Sequence, residues 1–195
     1  MSDTTDAHDG DLLLRIARAA IATRFGLIFE SGEEADFLHR MRATFVTLTQ
    51  AGRLRGCIGS LQPHRKLIDD VKANATAAAF RDPRFRPLDA SEFNSTTIEV
   101  SLLSEVKAMA IQGETDTLAQ LQPGIDGIIF ECAGKRSTFL PQVWDSLPDP
   151  QQFLGELKRK AGLPPDFWSN DVRLFRYHVT KWTEQTEAAN SQRSS

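Results

Sequence analysis

The chain has 195 residues, of which 41% are hydrophobic and 25% charged, and its formal net charge is −3. That length and balance suit one globular domain, or a main domain with a small lobe, with enough apolar residues to bury a real core. A mildly acidic chain lacks the basic surface that bulk nucleic-acid binding requires, and no apolar run approaches membrane-spanning length.

Residues 1–10 are polar and acidic with no apolar stretch of the signal-peptide kind, and residues 184–195 are equally poor in apolar content. Both read as flexible tails around a domain at 11–183. Asp11 can cap a helix running to about Phe25, in which Leu12, Ile16 and Ala19 or Ala20 recur at helical spacing. A short helix follows near Glu33 to Arg42. Thr44 to Thr49 reads as a strand, Gln50-Ala51-Gly52 as a turn, and Arg53 to Ile58 as the hairpin partner. Pro63 suits the first turn of a helix through Ala79, with Leu67, Val71 and Ala75 on one face. Its alanines at 73, 75, 77, 78 and 79 would let it approach a neighbour closely.

Thr96 to Leu103 carries the cleanest strand signal, with Ile98, Val100 and Leu102 alternating with Thr97, Glu99 and Ser101. A helix near Thr115 to Leu121 comes next. Gly127 to Cys132 and Lys135 to Leu140 form a predicted hairpin around Ala133-Gly134. Pro150 to Ala161 fits a helix closed by Gly162, and Val172 to Trp182 reads as one final strand. Helices and strands are interspersed, but hairpins dominate the strand pairs. The pattern predicts an α+β fold with a mainly antiparallel sheet packed with helices.

Two segments stand apart from ordinary packing. Leu54-Arg55-Gly56-Cys57-Ile58-Gly59-Ser60 sets a cysteine between glycines and beside an arginine, and Phe80-Arg81-Asp82-Pro83-Arg84-Phe85-Arg86-Pro87-Leu88 gathers three arginines between prolines and aromatics. If Arg53 to Ile58 is a regular strand, Arg53, Arg55 and Cys57 share one face and Leu54, Gly56 and Ile58 the other. Cys57 is then either a thiolate nucleophile or redox thiol supported by a guanidinium, or a small packed residue. Gly56 would give a ligand access to the backbone. Arg81, Arg84 and Arg86 either bind a phosphate or carboxylate or pin a rigid loop through Asp82 and backbone carbonyls. Glu99 either faces solvent or pairs with one of these arginines across the sheet.

Gln142 and Trp144 either line a pocket or anchor a loop. His64, near Cys57 in sequence, is a candidate base or a surface residue. Cys132, after an apolar run, reads as structural. Two cysteines outside any CxxC pair build no disulfide framework and no metal knuckle, which points to a reducing, cytoplasmic setting. The four histidines show no metal spacing. The candidate site is thus Cys57 as the catalytic group, with Arg55, Gly56, Arg81, Arg84, Glu99 and Gln142 as ligand-binding residues.

LRGCIGS at 54–60, AFRDPRFRPL at 79–88, IEVSLLS at 98–104 and TFLPQVW at 138–144 together resemble the AMMECR domain family, whose prokaryotic members are called AmmeMemoRadiSam system protein A. The resemblance runs in order from about Leu12 to Trp182. It implies an α+β fold with a main lobe and a smaller lobe facing a cleft. The system name implies association with Memo-like and radical SAM partners. It brings with it neither a reaction, nor a cofactor, nor established catalytic residues. Two functions follow as expectations: an enzyme or enzyme subunit working near Cys57, or a non-catalytic module that binds a protein or an anion.

Overall fold

The computed structural model describes residues 7–185. In chain order its elements are α1 (Ala7–Thr23), β1 (Thr44–Gln50), β2 (Arg53–Gly59), α2 (Leu67–Phe80), β3 (Thr96–Leu103), β4 (Lys107–Ala108), α3 (Glu114–Gln120), β5 (Gly127–Cys132), β6 (Lys135–Phe139), α4 (Pro150–Lys160), β7 (Arg173–Tyr177) and β8 (Val179–Thr183). Short 3-10 turns lie at Asp36–His39, Ala90–Ser95 and Pro141–Asp145. The chain divides into two compact units, one reaching Leu103 and resuming at Thr180, the other spanning Ser104–Val179. The fold is α+β, with four-stranded sheets in the orders β2-β1-β3-β8 and β4-β7-β5-β6. No helix among the described residues is long and apolar enough to cross a membrane.

In the first unit, alternation along the strands decides which face is buried. Val46 and Leu48 of β1 stand beside Val100 and Ile98 of β3, and all four are sealed against α1 and α2. Burying each such side chain contributes about 1.5–3 kcal/mol. The small face of α2, with Ala75, Ala78 and Ala79 buried, lets its backbone lie close over the sheet. Asp70 of α2 is fully buried and accepts from the Thr44 N–H at 2.9 Å, the Thr44 hydroxyl at 2.7 Å, the Ser60 hydroxyl at 3.0 Å and Asn74 Nδ2 at 2.9 Å. A buried carboxylate is tolerated because every donor it needs is supplied.

The second unit packs α4 on its sheet through Phe130, Leu174, Phe153 and Leu157. Trp144 stacks on Phe153 at 3.7 Å and donates its indole N–H to the Asp126 carbonyl at 2.8 Å, so it is a core anchor and does not line a pocket.

Four expectations are corrected. The first helix begins at Ala7, and Asp11 lies inside it without capping it. Gly10 packs under the Trp182 ring and Glu184 bonds to Arg18, so both belong to the fold and not to the tails. Residues 1–6 and 186–195 lie outside the described residues. Helix α2 starts at Leu67, with Pro63 in the preceding loop. The expected final strand is two strands: β7 and β8 part at His178 and join different sheets, which period-2 alternation alone does not reveal.

Candidate functional site

The hairpin of β1 and β2 turns through Ala51 and Gly52, both at positive φ (46° and 75°), as a two-residue loop matched to strand twist requires. Its register sets Thr47 opposite Cys57, and β3 sets Glu99 opposite Thr47 on the other side. Cys57, Thr47 and Glu99 therefore form a row across three strands, on the face turned away from the helices. Side chains in the row touch. The Thr47 hydroxyl donates to Cys57 Sγ at 3.4 Å, and Thr183 of β8 donates to Glu99 Oε2 at 3.3 Å. Cys57 is half-buried.

β2 is an edge strand, and an unpaired edge normally invites another strand. Here the Asp82–Arg84 pair occupies that edge at Cys57. Asp82 Oδ2 accepts the Cys57 N–H at 2.9 Å, and the Arg84 guanidinium donates to the Cys57 carbonyl at 3.2 Å. The two side chains also bond each other at 2.7 and 3.0 Å. Arg84 above all, with the N–H groups of Cys57 and Arg84, holds the Asp82 carboxyl well below the usual carboxylate range. Asp82 in turn raises the Arg84 guanidinium above its ordinary value, and the Cys57 side chain adds to the same effect. One guanidinium thus bridges a buried carboxylate and the neighbourhood of the thiol while remaining half exposed to solvent.

Arg55 does not share the Cys57 face as a regular strand would require. Leu48 pairs with Gly56 and Thr49 with Leu54, so Arg55 is the extra residue of a bulge and drops out of the alternation. Its buried guanidinium grips Glu92 at 3.2 and 3.1 Å and the carbonyls of Arg86 and Pro87 at 2.9 and 3.3 Å. Arg86 also meets Glu92, at 3.3 Å. Glu92 closes a capping box with Asp89, accepting the Asp89 N–H at 2.9 Å. Arg55, then Asp89 and Arg86, bring the Glu92 carboxyl down to about 2.

Gly56 faces the helices and not a ligand: a Cβ there would stand 2.2 Å from the Ala78 carbonyl oxygen of α2. Arg81 is exposed at the end of α2, its N–H closing the helix on Ala77. Glu99, read either as solvent-facing or as paired with an arginine, accepts from Thr183, and Ser101 is buried. Gln142 sits exposed in the 3-10 turn of the second unit. His64 is exposed in the loop before α2, and Cys132 packs in the second core. Glu92 and Thr47 are the residues that sequence reasoning missed, whereas Asp82, named there as a partner of the loop arginines, pairs with Arg84. Asp89-Ala90-Ser91-Glu92 carries a readable capping signature, but nothing in the sequence marks Thr47.

Chemically, this face offers a thiol beside a hydroxyl donor and a cation, with a carboxylate further along the row. A cation near sulfur supports the charge that moves during nucleophilic attack. Among the described residues no group of three or more His, Cys, Asp or Glu side chains is placed to hold a metal ion.

The sequence model described as AMMECR1 matches residues 14–182. A protein of Methanothermobacter thermautotrophicus is 35% identical over 180 residues, covering 88% of this chain and 92% of its own. A protein of Methanopyrus kandleri is 33% identical, covering 95% of this chain and 93% of its own. The crystal structure of an uncharacterized protein from Pyrococcus horikoshii superposes with a TM-score of 0.75 at 30% identity, covering 92% of this chain and 93% of that one.

Proposed function

We propose a function for this chain from one premise: it belongs to the AMMECR1 family. Its role is that of an enzyme or enzyme subunit that works in the cytoplasm with Memo-like and radical SAM partners, through a cleft near Cys57. Cys57 is the nucleophile, Thr47 orients its sulfur, and Arg84 supports charge that develops there.

One observation carries this reading: Cys57 Sγ accepts the Thr47 hydroxyl at 3.4 Å on a residue whose carbonyl holds the Arg84 guanidinium at 3.2 Å. The other reading, a non-catalytic protein- or anion-binding module, has less support. Arg55, Arg84 and Arg86 each already face a carboxylate, so an incoming anion would compete with Glu92 or Asp82.

Alkylation with iodoacetamide at neutral pH, followed site by site by mass spectrometry on the folded protein, tests the proposal. Cys57 should react well ahead of Cys132, and Arg84→Ala should slow Cys57 several-fold while the fold persists. Faster reaction at Cys132, or reaction of Cys57 only after unfolding, would defeat the nucleophile and favour the binding module.

A further inference from the structure

The segment from Leu27 to Asp36 is absorbed by neither the thiol face nor the arginine networks. Three consecutive apolar side chains there face solvent: Leu27 at 48%, Ile28 at 94% and Phe29 at 50% exposure. Such a run in water is costly unless something else uses it.

The tip is held in place. Helix α1 ends in a Schellman motif, with Gly26 at φ 73°, its N–H on the Thr23 carbonyl at 3.1 Å and the Leu27 N–H on the Ala22 carbonyl at 3.1 Å. Phe29 rests edge-on against Phe93 at 6.4 Å, and Phe25 beneath it packs on Phe80 and Phe93. At the far end, Glu33 accepts from Ser31 at 2.7 Å and from Lys72 of α2 at 2.7 Å. Tied at both ends, the segment loses little conformational freedom when something docks on it.

Its charge identifies the occupant. Glu30, Glu34 and Asp36 are exposed beside the apolar tip, Glu33 is occupied by Lys72, and no lysine or arginine occurs from Leu27 to Asp36. Arg24, the cation on the helix side, lies over the Phe80 ring at 5.7 Å. We infer that Leu27–Asp36 is a docking surface for another protein, one that presents a lysine- or arginine-rich segment carrying an apolar side chain. An anionic membrane surface would be repelled by the three carboxylates. A two-fold contact with a second copy would set the acidic run against itself, in a chain already at net charge −3. This inference stands independently of the role of Cys57.

The test uses the full chain and a labelled amphipathic peptide of alternating lysine and leucine blocks, with a glutamate-for-lysine version as its counterpart. Fluorescence anisotropy should show salt-sensitive binding of the lysine peptide only. Hydrogen exchange should show new protection confined to residues 27–36. Ile28→Ser should weaken binding about tenfold, as loss of an anchor does, and Glu34→Lys should weaken it and flatten the salt dependence. Both sites are exposed, so unchanged thermal melts serve as the folding control. Equal binding of the glutamate peptide, no protection at 27–36, or indifference to Ile28→Ser would overturn the inference. So would self-association abolished by Ile28→Ser, or phosphatidylserine-vesicle binding that needs Ile28.

Discussion

Arg55 and Glu92, 37 residues apart, meet as a two-pronged ion pair, with Nε on Oε1 at 3.2 Å and a terminal nitrogen on Oε2 at 3.1 Å. The bulge that removes Arg55 from the strand ladder is what turns its guanidinium toward the 3-10 turn at Ala90–Ser95. The pair therefore ties the loop following α2 to the edge of the sheet, on the strand that also bears Cys57. Removing one partner leaves the other charge buried without compensation, a larger effect than the net contribution of the intact pair.

The first prediction concerns acid stability. Glu92 titrates at about 2 in the fold, below an unfolded value of roughly 4.3. A depressed folded value means its contribution is complete above the unfolded value and is lost as pH falls toward 2. Thermal melts between pH 5 and 2 should show a steep loss of stability that Glu92→Gln flattens, because the amide has no proton to take up. An unchanged slope in that variant would count against the pair.

The second prediction is steric. Gly56→Ala would place a methyl group 2.2 Å from the Ala78 carbonyl oxygen, a backbone atom of α2 that moves only with the helix. Overpacking of this kind costs about 3 kcal/mol or prevents folding. Urea unfolding measures it, and a loss under about 1 kcal/mol would mean that helix and strand part readily.

Much of this arrangement is legible in the sequence. Both two-residue hairpins, at Ala51-Gly52 and Ala133-Gly134, follow from turn chemistry, and each pair adopts positive φ. The alternation of Ile98, Val100 and Leu102 sets the β3 register, and Gly162 closes α4 as expected. What stayed hidden depends on distant partners. Period-2 counting assumes that every residue is paired, so it could not see Arg55 leave the ladder. Arginine density left an anion site open beside a loop pinned through Asp82, because Glu92, the partner of Arg55 and Arg86, was not visible as an internal counter-charge. The break between β7 and β8 lies inside a run whose alternation continues across His178.

The third prediction uses the lone tyrosine of the chain. Burial pushes the Tyr177 phenol up to about 12, with the hydroxyl held between Thr138 Oγ1 at 3.2 Å and the Phe139 carbonyl at 3.1 Å. An unfolded tyrosine ionises near 10, so stability present below that pH should decline as pH rises from 10 toward 12. Ultraviolet difference titration should show no phenolate near pH 10.5 in folded protein. Ionisation with an ordinary midpoint while circular dichroism stays native would contradict the buried geometry.

The last prediction concerns Asp82. Its carboxylate satisfies the edge N–H of Cys57 at 2.9 Å and, through Arg84, the carbonyl of the same residue. Asp82→Ala removes the acceptor of the Cys57 N–H and, at once, the counter-charge that holds the Arg84 donor on the Cys57 carbonyl. The Cys57 N–H is then unpaired at the sheet edge, and Arg84 swings free because its half-exposed side chain has lost its partner. Leaving such groups unmatched costs about 1–3 kcal/mol, read as a lower urea midpoint at unchanged slope. Asp82→Asn keeps the acceptor oxygen and should recover most of the edge bond but not the pairing with Arg84. The two variants therefore separate strand closure from charge placement: hydrogen exchange at the Cys57 amide should rise strongly in Asp82→Ala and little in Asp82→Asn. Equal exchange in both would show that the guanidinium, and not the carboxylate, closes the edge of β2.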